Sequence, residues 1–180
     1  MLDRTVLPAS AAACYATIPM CGLVDVQATE AAVVKLNRAL GFELPQLGYC
    51  ITGPGSIRAY GLAPGHWLLR VAADTEESVV DQIRRALASD QAVATVVSDA
   101  YMGLRLVAAD AMHVLAQGCP LDLDVLSTGT CARTILARVT VLIVHNDIQA
   151  YELWVERSHA VYLRGWIDAA LELPKSATRP

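Results

Sequence analysis

The order of apolar and polar positions divides the chain into short apolar runs and longer runs with helical spacing. Residues 20–27 read as a strand. A helix follows, with Thr29 at its cap, Ala31, Val34, Leu36 and Leu40 along it, and Gly41 as its stop. Residues 45–55 read as a loop punctuated by Pro and Gly. Residues 57–62 and 67–71 read as a hairpin around Pro64 and Gly65. Thr75 then caps a second helix, with Glu76 and Glu77 in its first turn and an apolar stripe of Val79, Val80, Ile83 and Leu87. Residues 92–97 and 104–107 read as strands, and 109–116 as a short helix stopped by Gly118. Residues 131–137, 139–144 and 151–155 read as three strands. Ser158 caps a final helix reaching about residue 173, and 175–180 read as a frayed tail.

The two halves of this pattern repeat. A strand, a helix and a Gly cover 23–41 and again 104–118, and two strands and a helix cover 57–87 and again 139–171. The expected fold is α+β: two pseudo-repeated β-α-β-β-α units with antiparallel or mixed sheets and helices on one face. The chain reads as one domain over 1–180, with internal halves of about 17–89 and 91–173. Each unit leaves an apolar face that must be covered.

Composition sharpens this. Of 180 residues, 54% are apolar and 18% charged, against about 25% charged in an ordinary domain. Mean hydropathy is +0.39. A chain of this length buries roughly 70% of its unfolded surface, so disorder is excluded. The apolar residues exceed one core's need, and contact with another protein is the simplest outlet. The net charge is −4 with no block of either sign, which excludes nucleic acid as a partner. The five cysteines form no C-x-x-C pair, and their number is odd, so buried thiols in a reducing compartment are expected. The uncharged stretch 5–24 contains Ala11, Ala12, Ala13 and Cys14, faintly like a lipoprotein cleavage site. Pro8, Ser10, Thr17 and Pro19 break it, so neither a signal nor a membrane helix is expected, and the chain reads as cytoplasmic.

Candidate chemistry is sparse. His66, His113, His145 and His159 have no Ser, Cys or Asp partner at a recognisable spacing, so structural or surface roles are expected. Gly53, Pro54 and Gly55 form a turn rather than a phosphate cradle, because no helix starts behind them. No dinucleotide fingerprint occurs. Asp122 and Asp124 would share a face if extended, but a solvated loop is the plainer reading. Cys119 lacks an adjacent base or cation and reads as a structural thiol. The C-terminal third holds Tyr151, Trp154, Tyr162 and Trp166, with Tyr162 and Trp166 on one helix face. Trp and Tyr favour both cores and interfaces. Arg157 precedes the helix and Arg164 lies within it, where either can meet a carboxylate of a partner or water. Tyr151, Trp154, Arg157, Tyr162 and Trp166 are therefore the candidate partner interface; no catalytic, cofactor-binding or metal-binding residue is assigned.

Several segments carry a family resemblance. They are Gly61-Leu62-Ala63-Pro64-Gly65-His66-Trp67-Leu68-Leu69, Val97-Ser98-Asp99-Ala100 and Gly118-Cys119-Pro120-Leu121-Asp122-Leu123. Tyr151-Glu152-Leu153-Trp154-Val155-Glu156-Arg157-Ser158, then Tyr162, Leu163 and Trp166, complete the set. In order and spacing the chain resembles the gamma subunit of heterotetrameric sarcosine oxidase from about residue 20 to 173. Two positions depart from that pattern. Gly65 and His66 stand where the family often has an acidic pair, and Ala108 and Ala109 where it often has Gly-Pro. The second change removes a turn signal and should lengthen the third helix.

The resemblance implies a fold like the folate-binding domain of the glycine-cleavage T-protein. It implies a non-catalytic subunit that stabilises or positions flavin-bearing partners in a complex oxidising the N-methyl group of sarcosine to leave glycine. FAD, FMN, NAD, tetrahydrofolate and zinc would belong to the partner subunits, among them larger flavin- and nucleotide-binding chains. Two alternatives stay open: a stand-alone binder of folate or another one-carbon carrier, and the equivalent subunit of a complex acting on another N-methyl amino acid.

Overall fold

A computed structural model describes residues 14–88, 90–108, 110–147 and 149–172. The tail at 175–180 and residues 5–13 of the uncharged N-terminal stretch lie outside them. Ten strands and four α-helices follow one another: β1 (Cys14–Thr17), β2 (Gly22–Ala28), α1 (Glu30–Leu40), β3 (Cys50–Thr52), β4 (Arg58–Ala63), β5 (His66–Val71), α2 (Glu76–Ala86), β6 (Ala92–Val96), β7 (Tyr101–Val107), α3 (Ala111–Ala116), β8 (Thr130–Leu136), β9 (Val139–Asp147), β10 (Ala150–Glu156) and α4 (Ala160–Glu172).

The strands make two five-stranded sheets, ordered β3-β4-β5-β2-β6 and β8-β9-β10-β7-β1. Every pairing is antiparallel. The two orders are equivalent position for position. Each sheet takes its fifth strand from the segment that leads into the other half. β1 runs into β2 but pairs with β7, and β6 runs into β7 but pairs with β2.

Alternation along the strands produces four layers. Val24, Val26, Trp67 and Leu69 point to α1 and α2 and form one core. Leu104, Leu106, Ile143 and Leu153 form the second core with residues of α3 and α4, including Leu115, Leu163 and Ile167. The opposite faces of the sheets meet in a third core made by Leu23, Tyr60, Leu68, Cys131, Leu142, Val144 and Trp154. The greasy face expected of each unit is thus covered by the other unit.

Close approaches fix the sheets along one side. Tyr49 bridges Thr130, and the Cys131 N–H donates to Gly48 O at 2.7 Å. Loop residues 46–49 cross over Gly61, where an added Cβ would lie 2.2 Å from Gln46 O. Trp67 Nε1 anchors the same loop through Pro45 O at 2.8 Å.

Several boundaries differ from the sequence reading. Cys50–Thr52 is a strand inside the expected loop, and β1 was not expected at all. Both are too short to show a period. Thr29 and Thr75 precede their helices, yet neither side chain makes a capping hydrogen bond, and Ser158 lies inside a 3-10 turn, Arg157–His159. Gly41 does stop α1, at φ 79°. The third helix is Ala111–Ala116, and Asp110 before it lies outside the helical region at φ −116° and ψ 34°.

Candidate functional site

The inner faces of the sheets carry charge as well as the third core. In β4 and β5 the inward positions next to Tyr60 and Leu68 are Arg58 and Arg70, which lie directly opposite each other across the strand pair. Two like charges so placed repel. The facing sheet supplies the remedy. Glu152, midway along apolar β10, is 6% exposed and is the only buried charged residue among the described residues.

Its carboxylate is fully engaged. Arg58 Nη1 donates to Oε1 at 3.0 Å, Arg70 Nη1 to the same oxygen at 3.1 Å, and the Tyr60 hydroxyl to Oε2 at 3.2 Å. Arg58 also donates to Asn146 Oδ1 at 2.5 Å. The guanidiniums lie over rings, Arg58 over Tyr60 and Arg70 over Trp154, each 5.6 Å from the centroid.

Burial, then the charge of Glu152, pushes the Tyr60 phenol above its ordinary range. Burial opposes the charge on Arg70, but Glu152 and Tyr60 outweigh it and hold that pKa up. The flanking thiols Cys21 and Cys50 are raised by burial despite Arg70 and Arg58 beside them. Burial, with Cys50 adding to it, pushes Cys131 up to about 12. Protonated thiols are poor nucleophiles, and both oxygens of Glu152 already accept from this chain's own donors. The cluster is a clamp between sheets.

A separate hollow lies between the β1–β2 connection and the start of β7. It has a volume of about 150 Å³, opens to solvent, and is lined by residues including Ile18, Met20, Cys21, Met102, Trp154 and Arg157. Family-like segments build its rim. Ser98 Oγ accepts from the Leu23 N–H at 2.8 Å and donates to Glu76 Oε2. Arg157 Nε donates to Asp99 O at 2.8 Å, and Nη2 to Tyr101 O at 3.3 Å.

The five candidate interface residues do not share one surface. Tyr151 is buried under the helices and stacks on His145 with centroids 4.4 Å apart. Trp154 is buried between the sheets, and its Nε1 has no partner among the described residues. Trp166 is half-buried over Gly118, where an added Cβ would lie 2.5 Å from the ring. Arg157 and Tyr162 are exposed.

Other sequence readings find their place. His66 Nε2 lies 2.7 Å from Asp25 Oδ2 on the neighbouring strand, a partner that sequence spacing did not reveal. Asp122 Oδ1 accepts from the Asp124 N–H at 3.1 Å and caps a 3-10 turn. Cys119 is a buried free thiol. The clamp of Arg58, Arg70 and Glu152 was missed. Its one signal was an acid flanked on both sides by Tyr151, Leu153, Trp154 and Val155.

Two antiparallel sheets packed face to face, each with helices outside, define a duplicated α+β domain. The chain's sequence matches the sarcosine oxidase, gamma subunit family over residues 25–172, and it belongs to that family. It is similar in structure to a chain of heterotetrameric sarcosine oxidase from Corynebacterium sp. U-96 in complex with pyrrole 2-carboxylate. The TM-score is 0.82 and the identity 20%, over 92% of this chain and 88% of that one. It also resembles glycine cleavage system aminomethyltransferase T from Bartonella henselae, with a TM-score of 0.67 and 16% identity over 90% of this chain. It spans only 47% of that enzyme. At these identities the structural likeness speaks for the fold alone. No curated protein sequence matches the chain.

A hollow of about 150 Å³ is small against the roughly 300–1,000 Å³ of cofactor sites. The one buried acid is spent on two guanidiniums and a phenol. Among the described residues no three His, Cys, Asp or Glu side chains gather to hold a metal. No described helix is long and apolar enough to cross a membrane.

Proposed function

We propose that the chain is the gamma subunit of a heterotetrameric, sarcosine-oxidase-type complex in the cytoplasm, and that its contribution is structural. It stabilises or positions the flavin-bearing subunits, and FAD, FMN, NAD, tetrahydrofolate and zinc belong to the partner subunits. The match to the gamma subunit family over residues 25–172 carries the reading. The Glu152 clamp is consistent with it, since both carboxylate oxygens already accept from this chain's own donors. Exposed Tyr162 and Arg157 and half-buried Trp166 are where this reading puts a partner.

Native co-purification tests it. The chain should travel in a yellow assembly with a large flavin-binding chain, a nucleotide-binding chain and a small Cys-rich chain. That assembly should oxidise an N-methyl amino acid, and assays on sarcosine, N-methylglutamate and dimethylglycine decide which. Sarcosine oxidation by the isolated chain, or a stable monomer with no affinity for the larger chains, overturns the proposal. The folate-binder alternative predicts tight saturable quenching of Trp fluorescence by tetrahydrofolate. The occupied carboxylate of Glu152 argues for none.

A further inference from the structure

We infer that the hollow beside Trp154 is a socket for a partner polypeptide that inserts one apolar side chain next to a carboxylate. The inference rests on the subunit reading above and names the chemistry of one contact within it.

The hollow's volume, about 150 Å³, is the size that elsewhere holds a benzene ring. Its wall is mainly apolar: Ile18, Met20, Met102 and Trp154 line it. Met20 is 85% exposed, which leaves a large apolar side chain in water unless something covers it.

Among the described residues Arg157 is the only charged one in the lining. Two backbone carbonyls, Asp99 O and Tyr101 O, hold its guanidinium in place. These acceptors are neutral. Among the described residues no carboxylate lies within ion-pair distance of it. A cation fixed before binding loses little further entropy when an anion arrives. Apolar volume and a preset guanidinium with no described carboxylate beside it therefore select the same occupant: a Leu-, Met- or Phe-sized side chain with Asp or Glu beside it.

The test uses the full chain, ¹⁵N-labelled, titrated with acetyl-Phe-Asp-amide, acetyl-Phe-Asn-amide and phenylacetate. NMR follows the Trp154 indole and the Met102 and Gly103 amides. Saturable shifts at these positions are expected with the Asp peptide, while the Trp67 and Trp166 indoles stay still. Affinity should fall about tenfold for the Asn peptide, the size of one charge-assisted hydrogen bond. A similar fall is expected in Arg157→Gln, with Arg157→Lys restoring much of it. Thr17→Phe, which fills the mouth, should abolish binding. No localised shift, equal binding of the Asn peptide, or phenylacetate binding as tightly as the Asp peptide each overturns the inference. So does assembly of Arg157→Glu and Thr17→Phe chains into the complex as tightly as wild type. Peptide binding by a wild-type chain that joins no larger subunit sinks the subunit reading and leaves the socket standing.

Discussion

Glu152 shows how one residue can settle the relation of two sheets. Without it, Arg58 and Arg70 face each other with nothing between them. Removing one partner of a buried charge cluster leaves the others uncompensated, at about 3–5 kcal/mol. Arg58 and Arg70 are about one-quarter exposed, so water relieves part of that. We expect Glu152→Ala to cost about 3 kcal/mol in urea unfolding. Replacing Glu152, Arg58 and Arg70 together with Leu, Met and Met should cost less than Glu152→Ala alone. A triple variant weaker than the single one would show that the charges add net stability. The thiol of Cys131 gives a pH signature at the same scale. Its folded pKa of about 12 lies above the reference value of 9.0. The stabilisation is therefore complete below pH 9 and is lost as pH rises from 9 towards 12. Stability should fall by about 1 kcal/mol between pH 8 and pH 10, and Cys131→Val should remove that part of the fall. Neither role could be read from the sequence. The facing partners of Glu152 lie 82 and 94 residues away, and spacing rules reach only across a helix turn or a hairpin.

At the scale of elements, the strong periods were legible and the irregular joints were not. The stripe of Val79, Val80 and Ile83 does bury one side of α2, because helical spacing exposes its own face. The hairpin around Pro64 and Gly65 also forms, with Gly65 at φ 72°. The turn that leads into β9 in the other half is less comfortable. Ala137 and Arg138 join β8 to β9 with φ of 51° and 70°. Both are side-chain-bearing residues in the left-handed region, where Asn and Gly sit most easily. Ala137 is buried, and its N–H donates to Gly118 O at 3.0 Å. The turn thus ties the Gly118–Leu123 segment to the sheet. Arg138→Gly should raise stability by about 1 kcal/mol, seen as a higher urea midpoint at an unchanged slope. A fall would mean that the Arg138 side chain holds the turn by contacts that outweigh its backbone. The Gly118 motif has two structural tasks. Its first residue makes room for Trp166, and its Asp122 caps the next turn.

The whole molecule follows from where each half gets its fifth strand. β6 completes the first sheet, and β1, from the other end of the chain, completes the second. The surplus of apolar residues goes first into three cores rather than one, and the third exists only when both sheets are present. Neither half can therefore melt without uncovering the inner face of the other and removing a strand from its sheet. That predicts one cooperative transition despite two helix-covered cores. Trp67 lies in the first of these cores and Trp166 packs against the second, so each reports on one half. Chains retaining only Trp67 or only Trp166 should give superimposable urea curves once corrected for the stability cost of the Trp substitutions. Separate midpoints within a single chain, read by fluorescence and by far-UV circular dichroism, would mean that the halves unfold in turn. The inter-sheet core and the Glu152 clamp would then be contacts between two independent folding units, too weak to couple them.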